Sequence, residues 1–447
     1  MISNLKRRFL NSDFCRVFNF RTPESTGSSL LLINTFTANL ANTFVTGIFY
    51  TAFLAQNGID IVRVGIIAFI PYISWLFGLI SPKVLRLFKR RRALLLFNHI
   101  FYYLCIVLAT TIMPIFVKDY LQRTIWFGVF QFLASAMNAV LGSGAMAWHI
   151  HFVPKADDAR NIYFSFQNLT SSFISTLAAV FSAIAADALA ASGNQETLIV
   201  VLRYVAFGLF VFGGTLVYAV PKEWPYEFSG EAAKFKDIIT LPLQHKKFFL
   251  CCILCFFWNF IAATNASTWN YYLLDTVKMP YLMTLTTSIF CVFGNVFLLR
   301  FWRRLIARFT WHRMLLFWFI IAASYEVMYS FTTSQTLWWY VIVSVYCGIA
   351  CSGLNLTYAN LFYINLPKGD QDVYYLFWNF GANILAFCGA AFGTFFLSIF
   401  QQFEPVTLFG LPFYGSQFLP LCRFVLTMLM CLFIWKITPL TQPDEEN

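Results

Sequence analysis

Residues 93–117, ALLLFNHIFYYLCIVLATTIMPIFV, follow the basic run Phe88-Lys89-Arg90-Arg91-Arg92 and contain no Asp, Glu, Lys or Arg. A helix rises about 1.5 Å per residue, so a run of this length crosses the roughly 30 Å of bilayer hydrocarbon. Strands of a membrane barrel would instead alternate apolar and polar residues over about ten positions. This run does not alternate, so it predicts a spanning helix. The same reading carried outward predicts twelve spans, over residues 30–55, 62–81, 93–117, 124–147, 162–186, 198–220, 247–273, 280–299, 314–332, 337–364, 373–400 and 417–437. The predicted class is an all-α polytopic membrane protein.

Composition agrees. The chain has 447 residues, 59% apolar and 11% charged, whereas soluble domains carry about 25% charged residues. So few charges do not cover the surface of a water-soluble protein of this size. The net charge of +11 raises nucleic-acid binding, but the position of the basic residues argues otherwise. Lys6, Arg7, Arg8, Arg16 and Arg21 precede the first span. Lys83, Arg86 and Lys89 to Arg92 lie between spans 2 and 3, and Lys155 and Arg160 between 4 and 5. Lys222, Lys234, Lys236, Lys246 and Lys247 fill the centre, and Arg300, Arg303, Arg304, Arg308 and Arg313 lie between spans 8 and 9. In loops on the opposite side stand Arg63, Lys118, Arg123 and Lys278. Basic loops face the cytoplasm. Both termini are therefore expected there, in a multi-pass protein of the cell membrane whose basic side meets the lipid bilayer and no nucleic acid. No cleavable signal is visible in residues 1–27, where Leu5, Phe9, Leu10, Phe14, Val17 and Phe18 suit an interfacial helix. The pair Cys252-x-x-Cys255 lies inside an apolar run without a second ligand pair, so neither a metal nor a cofactor is expected.

Internal echoes suggest a duplication. Phe152-Val-Pro154-Lys155-Ala-Asp157 follows span 4, and Asn365-Leu-Pro367-Lys368-Gly-Asp370 follows span 10, with the prolines 213 residues apart. Phe88-Lys-Arg-Arg-Arg-Ala-Leu-Leu-Leu-Phe97 is echoed by Phe309-Thr-Trp-His-Arg-Met-Leu-Leu-Phe317, and Arg203 by Arg423, 220 residues on. Six crossings return the chain to its starting side, so two such units are parallel repeats. The expected organisation is an N-terminal segment 1–27, a six-helix bundle 28–220, a linker 221–246, a second bundle 247–437 and a tail 438–447.

Over nearly its whole length the chain resembles the major facilitator superfamily. The grounds are twelve spans, the duplication, cytoplasmic termini and the basic loop between spans 2 and 3. The superfamily's signature there is Gly-x-x-x-Asp-Arg-x-Gly-Arg-Arg, and this chain has Ser81-Pro-Lys-Val-Leu85-Arg86-Leu-Phe88-Lys89-Arg90. The basic positions are kept, while Ser81, Leu85 and Phe88 replace the glycines and the acid. The resemblance implies a transporter and not an enzyme, acting as a monomer by alternating access, with helices 1, 4, 7 and 10 lining a central cavity. It also implies that the basic loops bind acidic partners such as Asp157 or Asp370.

Polar side chains in hydrocarbon face protein or a watery cavity. Thr35, Asn39, Asn42 and Thr46 recur at i, i+4, i+7 and i+11 on span 1, on one helical face. Span 4 has Gln131, Ser135, Asn138 and Gly142. Span 7 has Trp258, Asn265, Trp269 and Tyr272, span 10 has Ser344, Gly348, Ser352 and Asn355, and span 11 has Asn379 and Asn383. Two readings stand: hydrogen-bonded glue between helices, at about 0.6–2 kcal/mol per bond, or the lining of a cavity. As a lining, Asn39, Asn42, Thr46, Gln131, Asn138, Asn265, Trp269, Asn355 and Asn379 offer amides, a hydroxyl and an aromatic face with almost no charge. They suit a small neutral solute such as a sugar or a nucleoside. Efflux of amphipathic compounds and a non-transporting receptor on the same fold are the alternatives.

Coupling to H+ or Na+ generally needs an acid within the membrane, and Glu326 is the one acidic residue well inside a span. It lies at a depth similar to that of Arg423, which allows either a static buried pair or a proton-coupling site. The coupling assignment predicts that Glu326→Gln removes the pH dependence of solute uptake into proteoliposomes. An unchanged pH profile assigns the pair to structure alone.

Overall fold

The computed structural model describes residues 18–153, 157–221, 223, 235–309, 311–359, 361–362, 365–367, 371–402, 405–408 and 411–441. Outside these lie most of the expected interfacial helix (Leu5 to Val17), Lys155, Lys368 and Asp370 of the echoed loops, residues 222 and 224–234 of the linker, and 442–447 of the tail. Among the described residues nine helices are long and apolar enough to cross a membrane, and the chain is a multi-pass membrane protein. It forms two compact units, Met1–Phe53 with Ser74–Ala232, and Leu54–Ile73 with Ala233–Asn447.

The first unit opens with α1 (Pro23–Val45). The Thr22 hydroxyl accepts from the Ser25 backbone, the Ser25 hydroxyl accepts from the Thr22 backbone, and Pro23 takes the first helical position. This capping box satisfies amides that would otherwise lack partners. The helix ends at Thr46, which is extended, and Gly47 follows at φ 57°. A left-handed residue with a Cβ costs about 1–2 kcal/mol, so glycine suits this turn. The chain then restarts as α2 (Gly47–Gln56). The predicted first span is thus one apolar run in sequence and two helices in structure. Next come α3 (Ile61–Ser74), which groups with the second unit, a 3-10 helix over Trp75–Ile80 and a short α-helical stretch over Ser81–Arg86.

The third span is also irregular. α4 (Arg92–Tyr103) passes through a π-helical turn, Leu104–Ala109, into α5 (Thr110–Phe116). The Glu223 carboxylate accepts hydrogen bonds from the backbone of Arg91 (2.5 Å) and Arg92 (2.9 Å) and caps this helix. The acidic partner seen at this basic loop is therefore a linker residue. The Asp157 side chain and Asp370 lie outside what is described. α6 (Tyr120–Phe152), α7 (Asp157–Ala190) and α8 (Gln195–Ala219) complete the unit. Its core joins Ala41, Phe44 and Val45 of α1 with Ala206 and Phe210 of α8.

The second unit continues with α9 (Phe235–Gln244), within the expected linker, and α10 (Lys246–Ala263). α10 breaks at Thr264-Asn265, restarts as α11 (Ala266–Tyr271) and ends in a π-helical turn, Tyr272–Thr276. α12 (Thr286–Phe297), α13 (Leu299–Arg308), α14 (Trp311–Tyr329), α15 (Leu337–Ala359), α16 (Gln371–Phe400) and α17 (Phe418–Thr441) follow. One element departs from the all-helical expectation. β1 (Val406–Leu408) pairs antiparallel with β2 (Leu411–Phe413), where β-branched and aromatic residues favour a pleated surface. The buried Phe413 ring anchors this hairpin on Phe331 and Phe418.

Ile61 shares the core of this unit with Ile261, Tyr272, Phe319 and Leu397. Helix α16 meets α10 through Gly389 and Gly393: a Cβ at either position would overlap the carbonyl oxygen of Phe260 or of Thr264. Small residues four apart let membrane helices touch backbone to backbone, here at the break in α10. Gly393→Ala is expected to lower the melting temperature of the purified protein by an overpacking cost of about 1–3 kcal/mol. Gly47→Ala, with open space around its Cβ, is expected to lose only the backbone term of about 1–2 kcal/mol. A Gly393→Ala protein as stable as wild type would contradict the close contact.

Candidate functional site

In the first unit the polar stripe of α1 faces α7. The Asn39 amide donates to the Thr35 carbonyl (2.7 Å) and to Ser171 Oγ (2.9 Å), and Gln167 Nε2 donates to Thr35 Oγ1 (3.3 Å). Thr43 Oγ1 donates to the Asn39 carbonyl at 2.9 Å. Sequence reasoning missed the partners on α7, although Gln167, Ser171 and Ser175 recur at i, i+4 and i+8 and carry their own helical signal. Asn39 therefore serves helix packing with its NH2 group, while its Oδ1 accepts from no described residue.

Other members of the stripe are uncommitted. The half-buried Asn42 amide makes no hydrogen bond to a described residue, and Thr46, exposed at the break, donates to the Asn42 carbonyl at 2.7 Å. On α6 the half-buried Gln131 likewise makes no hydrogen bond to a described residue. Asn138 Oδ1 accepts from Asn98 Nδ2 at 3.2 Å, while the Asn98 Oδ1 is buried without a partner. Asn98 was another residue that the stripes did not single out.

The second unit gathers three of the predicted residues around the break in α10. Glu326 of α14 is 3% exposed, and its Oε1 lies 3.0 Å from Arg423 Nη2 of α17. Arg423 Nη1 donates to Asn265 Oδ1 at 2.6 Å. The chain leaves helical geometry at Asn265, where the backbone stands at φ −132° and ψ 8°. One arginine thus joins a carboxylate on α14 to the irregular residue between α10 and α11. Charge-assisted bonds of this kind are about twice as strong as neutral ones. Trp269, one turn on, sets its ring at a tilt 5.2 Å from Tyr272 and edge-on 5.9 Å from Tyr329.

Beside the same break is a cavity of about 30 Å³, lined by Tyr72 of α3, Thr264, Thr268 and Thr394 of α16. It has room for about one or two waters, not for an organic solute. Thr264 and Thr268 spend their hydroxyl protons on the carbonyls of Phe260 and Asn265, and Thr394 makes no hydrogen bond to a described residue.

The remaining predicted residues do not join this group. Asn355 is exposed, and its amide reaches only Cys291 Sγ, at 4.0 Å. Asn379 donates to the Tyr375 carbonyl of its own helix at 2.9 Å. The α15 companions of Asn355 are packing groups: Ser344 meets the Tyr329 hydroxyl at 3.2 Å, and Ser352 accepts from Trp302 Nε1 at 2.9 Å. Cys255 belongs to a local network with Asn259 and Tyr358, whose hydroxyl donates to its Sγ at 3.0 Å.

The fold is that of solved membrane transporters. A variant of the nucleoside transporter NupG superposes with a TM-score of 0.65 at 11% identity, over 91% of this chain and 98% of that one. A POT family transporter in complex with 5-aminolevulinic acid gives 0.66 at 11%, over 97% and 100%. A D-xylose–proton symporter gives 0.61 at 12%, over 92% and 97%. Identities this low establish the fold alone. No known family's sequence profile matches the chain, and no curated protein sequence does.

Removing the acid from the buried triad leaves Arg423 without its counter-charge. Glu326→Ala is expected to cost about 3–5 kcal/mol of stability. Adding Arg423→Met should recover much of that loss, so a thermal double-mutant cycle is expected to show strong coupling. Additive losses would contradict the pair.

Proposed function

We propose that the chain is a twelve-span transporter of the major facilitator plan, built from two repeated six-helix units, that moves a small neutral polar solute by alternating access. One observation carries the reading: two spans are broken, at Thr46-Gly47 and at Thr264-Asn265, and polar side chains collect beside both breaks, uncharged at the first and joined by the Glu326–Arg423 pair at the second. Transporters commonly bind solutes at discontinuous helices, where freed backbone groups and half-helix ends face the ligand. Thr46 and Asn265 stand 219 residues apart, close to the 220 that separate Arg203 from Arg423. This matching spacing supports the duplication, with the repeats over residues 28–220 and 247–437.

The solute class follows from which donors remain available. Among the described residues, Asn42, Gln131 and Asn355 keep amides that spend little or nothing on protein groups, Asn39 and Asn379 keep their Oδ1 atoms, and Asn138 keeps its NH2. Thr46 adds an exposed hydroxyl and Trp269 an aromatic face. Amides donate and accept together, as the hydroxyls of a sugar or nucleoside require. Anionic solutes are usually met by Arg or Lys, and none stands in this set. The basic loops support a cell-membrane protein with its termini in the cytoplasm. Glu326 is the group through which a proton would couple.

The test is thermal unfolding of the purified full-length protein with neutral sugars, nucleosides and amphipathic drugs. A ligand confined to the folded state adds about 2.7 kcal/mol at a hundredfold excess over Kd. The expected result is a saturable rise with a sugar or nucleoside that is lost in Asn42→Ala, a variant that breaks no hydrogen bond of its side chain to a described residue. Stabilisation by amphipathic compounds alone would turn the assignment to efflux. No response to any solute would remove the neutral-solute class.

A further inference from the structure

Arg203 stands on α8, about 12 Å along a spanning helix, and is 1% exposed. Its Nε donates to Thr111 Oγ1 at 2.8 Å, and its Nη2 to Thr110 Oγ1 at 2.7 Å and to the Ile106 carbonyl at 3.0 Å. The Ile106 carbonyl lies in the π-helical turn before α5, an irregularity that often marks functional sites. The Phe53 ring covers the guanidinium at 3.9 Å, and the Tyr50 ring centre lies 5.9 Å away. A guanidinium carries five N–H donors. Three are engaged here, and the two on Nη1 are buried with no partner among the described residues.

Charge is the larger deficit. Arg423 in the other unit has Glu326 at 3.0 Å, whereas among the described residues no carboxylate pairs with Arg203. Threonine hydroxyls, carbonyls and an aromatic face orient a cation without neutralising it. A full charge at this depth calls for a counter-charge. The Tyr50 hydroxyl makes no hydrogen bond to a described residue and offers a further donor. Tyr50 and Phe53 both ride on α2, the segment that restarts at Gly47 beside open space, so the aromatic cover over the guanidinium is carried by the half-helix beyond the break.

We propose that Arg203 anchors a binding site for a small monovalent anion, which Nη1 and the Tyr50 hydroxyl hold and which supplies in this unit the charge that Glu326 supplies in the other. The site uses none of the residues assigned to the neutral solute and stands independently of that assignment. Its occupant is either a free inorganic ion or the carboxylate of an organic solute.

The experiment measures the melting temperature of the full-length protein in chloride, nitrate or acetate against gluconate, a bulkier anion, at matched ionic strength. The expected result is a saturable rise of several degrees over gluconate with at least one small anion. Arg203→Gln removes the anchor and should lose the rise. Thr111→Asp places a carboxylate beside Nε, builds the counter-charge into the chain, and should make stability independent of the anion. It also keeps the test decisive should Arg203→Gln fail to fold. A rise with chloride or nitrate assigns the site to a free inorganic anion, and a rise with acetate alone assigns it to an organic carboxylate. No rise over gluconate, or one that persists in either variant, overturns the site.

Discussion

Hydrocarbon offers no hydrogen bonds, so each backbone or side-chain polar group that enters it must find a partner in the chain, and the architecture follows from that. Regular helix satisfies the backbone internally, which is why apolar runs such as residues 93–117 become helices. At several departures from regular helix a polar side chain takes part. Asn265, where α10 breaks, accepts from Arg423, and the π-helical turn after α4 gives a carbonyl to Arg203. At Thr46 the hydroxyl bonds back to the Asn42 carbonyl. At Asn265 and at the π-helical turn, irregular chain and a buried arginine meet.

The same constraint sorts the polar residues. Association between helices in a bilayer draws on packing and hydrogen bonds rather than on the hydrophobic effect. Asn39 with Ser171, and Trp302 with Ser352, show polar atoms spent on holding helices together. Asn42 and Gln131 lie in the same stripes and are not spent in this way. Residues of one type at one periodicity therefore divide into structural and available groups only when their neighbours are known.

Much of the helical framework was legible in sequence, since charge-free runs of spanning length have few other uses. Breaks inside the runs were not legible. Thr46-Gly47 and Thr264-Asn265 scarcely alter local hydropathy, and Gly47 looks like any other glycine until its φ is known. The hairpin at Val406–Phe413 was hidden in the short stretch between two long apolar runs, too brief for any period to show. An acid and a base within apolar runs draw attention to Glu326 and Arg423, but that Asn265 shares the arginine depends on the helix break. The role of Glu223 was concealed for a different reason: a linker acid caps a helix over a hundred residues earlier, and nothing local marks it.

The assignment of Leu54–Ile73 to the second unit has a consequence for connectivity. The chain passes from one unit to the other after Phe53, returns before Ser74, and crosses again between Ala232 and Ala233. The division along the sequence therefore differs from the division in packing. A fragment cut at the linker would take α3 with the wrong partner, leaving Ile61 without its core and that core without Ile61. The second unit is therefore not a continuous module of the sequence. Its earliest segment is synthesised almost at the outset and waits for its core until residues beyond 233 follow.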